Sequence, residues 1–358
     1  MQEPGSGAPA FSGAAARRSV RLSPDDLVAT GPVGEGSFPL LVRPRVADAN
    51  LSAWAAGHRD LIERWLLAHG ALLFRDFAVD SIARFQEVAR AISPRLLDYR
   101  ERAAPRVELA PNVFTSTEYP ADQAIPLHHE MSYSHNWPTK LFFYCVQPPA
   151  SGGCTPLADD RQLFPSIDPE VRQRFLAKQV MYVRNYGGGV DLPWQDVFQT
   201  AERAAVESYC RRAGMAFEWR PGDRLRTRAV RQVVATHPAT GDTVWFNHAH
   251  MFHVSNLEPA VRQALLAEFA ADELPRNAFY GDGSAIEDEV LEHVRDVYRR
   301  AAVTFPWQRG DLLVVDNFLA SHGRQPFTGP RRIAVAMAEL YTDPAAAAAG
   351  GEALPELG

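Results

Sequence analysis

Hydrophobic positions along the chain recur at two periods, which sort it into helices and strands. Trp54, His58, Leu61 and Trp65 step by three and four residues, the spacing of one helix face, and Gly70 supplies a stop. Leu72, Leu73 and Phe74 follow as a short buried strand. Ile82, Phe85, Val88 and Ile92 make a second helical face, with Asp80 as its expected N-cap and Pro94 as its end. Asp168 before Pro169 opens a third helix, and Thr200 and Asn256 are the expected starts of two more. Apolar, β-rich runs at 139–146, 180–184, 231–236, 242–247, 311–315 and 331–341 read as strands. No internal repeat is visible. Many short strands with a few helices predict a chain that is mainly β with peripheral helices (α+β). The expected frame is a double-stranded β-helix, or jelly roll, forming a single domain over residues 38–342. Residues 1–37, rich in Gly, Ala and Pro, read as a flexible leader. Residues 343–358, with an unbroken alanine run from Ala345 to Ala349, read as a disordered tail.

Composition narrows the function classes. Of 358 residues, 46% are hydrophobic, enough for a sizeable core. The net charge of −6 comes without a basic stripe, which argues against a nucleic-acid partner. No apolar run approaches the roughly 20 residues of a membrane helix. Three scattered cysteines, Cys145, Cys154 and Cys210, make no disulfide framework, and the expected compartment is a reducing cytoplasm.

Candidate chemistry begins at Pro126-Leu127-His128-His129-Glu130-Met131. In an extended segment residues i and i+2 share a face, so His128 and Glu130 point together and His129 points away. One imidazole and one carboxylate are two ligands for a divalent metal, although the same pair also occurs at ordinary strand edges. A second block supplies a third ligand: a buried run, Gly310-Asp311-Leu312-Leu313-Val314-Val315-Asp316-Asn317, is followed by Ser321-His322-Gly323-Arg324. Two histidines and a carboxylate with open positions are the donor set of non-haem Fe(II) oxygenases. Arg331 and Arg332 lie about ten residues further on. An arginine there can hold the carboxylate of a metal-bound acid, because its guanidinium forms two parallel hydrogen bonds and stays charged when buried. Alternation puts Arg331, Ile333, Val335 and Met337 on one face and Arg332, Ala334, Ala336 and Ala338 on the other. The small side chains of the second face leave room for a ligand, so Arg332 is the expected carboxylate holder. Two surface arginines opening an edge strand are the plain structural alternative.

Residues 126–133, 148–155, 245–253, 305–316 and 322–337 together resemble the taurine dioxygenase (TauD/TfdA) superfamily. The likeness is strongest to its clavaminate-synthase-like branch of amino-acid and natural-product hydroxylases, and it runs from about residue 38 to 342. It implies a non-haem Fe(II)/2-oxoglutarate-dependent dioxygenase whose cofactors are Fe(II), 2-oxoglutarate and O2. His128, Glu130 and His322 match the iron ligands, and Arg332 matches the arginine of the distal 2-oxoglutarate carboxylate. Thr155, in Ser151-Gly152-Gly153-Cys154-Thr155, matches a threonine at that carboxylate; without the resemblance it reads as an ordinary strand residue. Enzymes acting on taurine carry a further arginine at the position of Ala336, so a sulfonate substrate is disfavoured. Halogenases replace the carboxylate ligand, so Glu130 disfavours halogenation.

The implied reaction is hydroxylation of an unactivated C–H bond in an amino acid or an amino-acid-derived small molecule, free or presented on a carrier protein. Natural-product biosynthesis in a bacterium is the expected setting. Desaturation, epoxidation or cyclisation would use the same iron site. A catalytically silent jelly-roll binding protein and a zinc hydrolase are the rivals from other classes, and neither explains the ligand set together with an arginine. Met131, Ser132, Tyr133 and Asn247 are the candidate substrate residues, with core packing as the alternative for each. His248, His250 and His253 lack a carboxylate in a ligand pattern and are read as structural. Arg184-Asn185-Tyr186 followed by Gly187-Gly188-Gly189 reads as a loop that could close over a substrate.

Overall fold

The computed structural model describes residues 27–34, 36–98, 106–187 and 192–344. Its largest element is an eight-stranded sheet with the order β1 (Val28–Pro32), β2 (Leu40–Pro44), β3 (Ala71–Phe74), β16 (Leu312–Asp316), β7 (Asn136–Gln147), β19 (Arg332–Thr342), β5 (Val113–Thr115), β4 (Glu108–Ala110). A smaller sheet, β6 (Ile125–His128), β17 (Ala320–Arg324), β9 (Leu157–Asp159), faces it. The two enclose the jelly-roll interior. A four-stranded sheet, β11 (Ala216–Arg220), β12 (Arg224–Arg231), β10 (Val180–Tyr186), β15 (Arg276–Tyr280), lies to one side. Two short ribbons, β8 (Ser151–Gly152) with β18 (Phe327–Thr328) and β13 (Val234–Thr236) with β14 (Thr243–Trp245), complete the strands.

Three helices cover one side of the large sheet: α1 (Leu51–Gly57), α2 (Arg59–His69) and α3 (Ile82–Ile92). The single helix expected around Trp54–Trp65 is two, broken at His58, whose backbone is non-helical. Gly70 ends α2 in the left-handed region (φ 69°), as a C-terminal glycine should. α3 is capped by Ser81, whose hydroxyl accepts from the Arg84 N–H, and not by Asp80. Leu66, Phe85 and Ala89 from these helices are fully buried against Leu72, Phe142, Val314, Ala334 and Ala336 of the sheet. Each large apolar side chain so buried contributes about 1.5–3 kcal/mol. Where β3 ends, Arg75 forms two hydrogen bonds to Asp311 (2.9 and 2.6 Å), with both side chains buried. Losing one partner of such a pair costs about 3–5 kcal/mol, because the other charge is left buried.

The remaining helices are α4 (Asp160–Ser166), α5 (Pro169–Lys178), α6 (Trp194–Phe198), α7 (Arg203–Arg212), α8 (Ala249–Phe252), α9 (Pro259–Glu268) and α10 (Asp288–Ala301). Asp168 caps α5 as expected. Thr200 and Asn256 precede helices without capping them, since α7 starts after Glu202 and α9 after Glu258. Among the described residues, no helix is long and apolar enough to cross a membrane.

Two expectations about segments need correction. Order begins before residue 38: Val28–Pro32 pairs antiparallel with Leu40–Pro44 as an edge strand. One fully buried apolar residue, Val28, leaves no alternation to read, and a proline at its end suits an edge. Arg184, Asn185 and Tyr186 are not loop; they are the end of β10, paired with β12 on one side. Residues 1–26 of the expected leader, 188–191 of the expected loop and 345–358 of the expected tail lie outside the described residues.

Candidate metal centre

β6 and β17 pair antiparallel with His128 directly opposite His322, which sets the two imidazoles side by side with ring centroids 4.5 Å apart. A close approach permits this pairing. A Cβ at Gly323 would stand 2.7 Å from the Ile125 carbonyl oxygen, so only glycine fits beside His322. The strand ends at His128, and Glu130 opens a turn in which Met131 takes φ 60°. Ligand atoms of His128, Glu130 and His322 lie within 4.8 Å of one another, the one such His/Cys/Asp/Glu group among the described residues.

The turn is held by buried polar contacts. Asn317 accepts from the Glu130 N–H (2.8 Å) and donates to the Glu130 and Pro138 carbonyls (2.9 and 2.8 Å). His129 points away from the group; its Nδ1 donates to the Asn317 carbonyl (2.7 Å) and its Nε2 is 3.2 Å from Asp160. Asp160 in turn accepts from the Ser321 N–H (2.7 Å), which ties the turn to the strand that carries His322. The Glu130 carboxylate accepts from Arg106 Nη2 (2.9 Å), with both side chains buried.

These surroundings suit a divalent ion. Burial, aided by the Arg106 charge and the neighbouring histidines, holds the His322 ring well below its ordinary pKa. Burial also lowers that of His128, against the attraction of Glu130. Both rings are neutral at pH 7, the form that binds metal. His128 Nδ1 donates to the Pro126 carbonyl (2.8 Å), which leaves its Nε2 lone pair free. His322 Nδ1 is buried without a hydrogen-bond partner, so this ring too keeps a lone pair for an ion. Two neutral imidazoles and a carboxylate are a fitting donor set for Fe(II).

A cavity opens on this group, lined by His128, His322, Thr155 and Arg331 among others. Arg331 Nε donates to the Gly153 carbonyl (2.9 Å) and Nη2 reaches Thr155 Oγ1 (3.4 Å), while Trp307 Nε1 also donates to Thr155 (3.1 Å). Burial, with repulsion from Arg324, lowers the Arg331 pKa to about 10, and it stays charged at pH 7. Gly153 (φ 65°) makes way for this arrangement, because a Cβ there would meet the Arg331 side chain at 3.1 Å and Phe327 at 2.9 Å.

Arg332, expected in this cavity, is exposed on the opposite face of β19. Strand alternation is as expected, and the assignment of faces was inverted. Ala334, Ala336 and Ala338 are small because α1–α3 pack close upon them, and Ile333 and Val335 are walls of the cavity. The other substrate candidates divide. Asn247 is fully buried with both amide ends engaged, donating to the Val233 carbonyl (2.9 Å) and accepting from the Ala249 N–H (3.0 Å). Ser132 is buried against His248 Nδ1 (2.6 Å), and Met131 lies in the core beyond the turn. Neither lines a described cavity. Tyr133 does, in a second cavity on the four-stranded sheet.

Two residues near the group, Arg106 and Asn317, were given no role by the motif reading. Neither carried a spacing signal. His248 packs its ring 5.4 Å from that of His128 and 5.1 Å from Tyr133. His250 and His253 are drawn elsewhere, to the Leu127 carbonyl and to Ser255, so the three histidines do not converge.

The family model described as "Taurine catabolism dioxygenase TauD, TfdA family" matches residues 37–337. A dapdiamide synthesis protein, DdaC, of Enterobacter agglomerans is 41% identical over 297 residues, covering 83% of this chain and 90% of that one. A clavaminate synthase-like protein of Arabidopsis thaliana is 30% identical over 319 residues, covering 83% and 92%. Among solved structures, PvcB of Pseudomonas aeruginosa superposes with a TM-score of 0.53 at 17% identity, over 88% of this chain and 92% of that one, which shows the shared jelly-roll fold. With that fold and that family match, the chain belongs to the TauD/TfdA family and is an Fe(II)- and 2-oxoglutarate-dependent dioxygenase.

Proposed function

We propose that His128, Glu130 and His322 hold the iron, and that Arg331 with Thr155 holds the distal carboxylate of 2-oxoglutarate. The carrying observation is that one cavity contains both imidazoles and a half-buried, charged arginine fixed by the Gly153 carbonyl. When bound, iron, 2-oxoglutarate and O2 supply oxidative decarboxylation to succinate and CO2 coupled to oxidation of a substrate C–H bond. The chain contributes placement. Asn317 fixes the turn that aims Glu130, and Arg106 orients its carboxylate. Trp307 and Arg331 orient the Thr155 hydroxyl, and the Phe143, Ile333 and Val335 side chains keep the cavity wall apolar.

The substrate is an amino acid or an amino-acid-derived small molecule, free or carrier-bound, and the reaction is hydroxylation within bacterial natural-product biosynthesis. Similarity to a dapdiamide synthesis protein supports that setting. Desaturation, epoxidation or cyclisation would place the same demands on these residues. Succinate release that requires Fe(II), 2-oxoglutarate and O2 tests the site assignment when compared between the native chain and His128→Ala. Undiminished release from the variant sinks it. Product mass settles the reaction, because hydroxylation adds one oxygen and desaturation removes two hydrogens.

A further inference from the structure

Arg106 touches the proposed iron ligand Glu130 and borders the space beside it. Its Nη2 donates to Glu130 Oε2 (2.9 Å) and to Thr117 Oγ1 (3.3 Å), and both charged side chains are buried. The main chain holds the arginine there. Val107, the next residue, donates its N–H to Thr115 Oγ1 (2.9 Å), and its carbonyl accepts from the Thr115 N–H (2.8 Å). Arg106 is thereby anchored to β5, whose Phe114 and Thr115 pair with Val335 and Ala334 of β19. It lines the same cavity as His128, His322, Thr155 and Arg331.

A ligand atom of Glu130 lies within 4.8 Å of one on each histidine, so a divalent ion held by the three stands one carboxylate away from the guanidinium. Two cations that close repel each other, and strongly so where water is excluded. The single negative charge of Glu130 is then shared between them. A dianion entering the same cavity is attracted by the guanidinium over the same short range. The charge of Arg106 therefore disfavours the ion and favours the acid that follows it. A neutral donor at this place would aim the Glu130 carboxylate with neither effect.

We propose that Arg106 is a positioning residue whose charge moves binding strength from the metal ion to 2-oxoglutarate. The ion alone is held weakly. The cosubstrate, once the ion is in place, is held more tightly than Arg331 and Thr155 alone would hold it. This lowers the fraction of molecules that carry iron without the acid. The proposal rests on the iron assignment above, and it gives the buried arginine a task beyond aiming Glu130.

The test measures two affinities of the full chain with redox-inert Zn(II). Zn(II) itself is read by competition with a chromophoric chelator, and 2-oxoglutarate is read by calorimetry at saturating Zn(II). Arg106→Gln keeps an N–H donor and removes the charge. It should bind Zn(II) roughly tenfold more tightly and 2-oxoglutarate roughly tenfold more weakly, the scale of one charge-assisted interaction. Arg106→Lys keeps the charge and should stay within about threefold of the native chain on both. The opposite signs are the signature, because a residue that only held the fold or aimed Glu130 would lose both affinities together. Changes of the same sign in the Gln variant, or both affinities within about twofold of native, overturn the proposal, and so does a Lys variant that matches the Gln variant. If Arg106→Gln fails to fold with Glu130 left unpaired, Glu130→Gln is compared with the double variant Glu130→Gln/Arg106→Gln, in which no carboxylate is stranded. The same opposite shifts between those two support the proposal, and any other result overturns it. His128→Ala separates the two readings. It should weaken Zn(II) at least roughly tenfold. An unchanged Zn(II) affinity there sinks the iron assignment and this proposal with it, whereas the expected loss combined with same-sign changes at Arg106 sinks the proposal alone.

Discussion

On the helix-covered side of the eight-stranded sheet, Leu72, Phe74, Phe142, Tyr144, Leu312 and Val314 meet α1–α3 with alanines filling the narrow space along β19. On the other side the same strands present Leu73, Phe143, Leu313, Ile333 and Val335, and the apolar surface gives way to a cavity holding two histidines and a half-buried arginine. Every buried histidine lies away from the helix-covered core. The helix-covered side is almost wholly apolar, with Lys140 paired to Glu63 and Glu339 at its end, and the other side keeps charge in the middle of the fold, as in the Glu130–Arg106 pair. A single strand, β19, serves both, so adjacent residues on it have opposite consequences.

The largest effect expected is on the cavity side. His322→Ala removes one of the three proposed iron ligands, and succinate formation should fall roughly a thousandfold or more, read by single-turnover assay with excess Fe(II). The urea midpoint is read alongside, because the truncated ring packs against Phe143 and His128, and turnover is compared per folded molecule. Retained turnover would show that the two sides differ less in role than in composition. Next in size is the adjacent pair. Arg331→Gln should raise the half-saturating 2-oxoglutarate concentration roughly 10- to 100-fold, the scale of lost charged hydrogen bonds. Arg332→Gln, one residue on and exposed, should leave it within about twofold, as for most solvated charges. Equal effects would erase the difference between the faces.

Much of this arrangement is legible in the residues themselves. The β-rich runs at 139–146, 311–315 and 331–341 coincide closely with strands of the large sheet, because each is an apolar segment bounded by turn residues. His128, Glu130 and His322 are recognisable because two of them share a short motif and the third follows a buried strand. Which face of β19 looks into the cavity was not legible. Both faces are buried, and alternation says which residues go together without saying what lies opposite. Asn247 shows a related limit: a polar residue after a buried strand reads equally as a ligand or as a cap until its partners, the Val233 carbonyl and the Ala249 N–H, are known. Arg106 was unreadable for another reason, since its partner Glu130 is distant along the chain and no motif links them.

A smaller effect tests the closed side. Ala336→Leu adds bulk where helices pack on the sheet, and overpacking should cost about 1–3 kcal/mol. The fall should appear in the urea midpoint, with the 2-oxoglutarate requirement of the folded fraction unchanged, because Ala336 faces away from the cavity. A raised requirement with unchanged stability would mean that the alanine face, and not the face carrying Ile333, serves the ligand.

The smallest effect comes from acid, and it should arise where the buried histidines are. Burial lowers the pKa of His253 to about 4, against the attraction of Asp288, and of His135 to about 4. Burial likewise lowers that of His250 to about 3. A histidine whose folded pKa is depressed favours the neutral ring, so the unfolded chain takes up more protons as pH falls. The stability involved is full above about 6.5, declines below it, and stops declining once pH passes below the folded pKa. Between pH 7 and pH 6 each such ring should cost about 0.7 kcal/mol. His253→Asn removes one titrating ring while keeping an acceptor for the Ser255 N–H. Urea midpoints of this variant and the native chain, compared at pH 7 and pH 6, should show the variant losing less stability by about that amount. Identical losses would mean that His253 is not held neutral, and that this side of the fold tolerates charge without a partner.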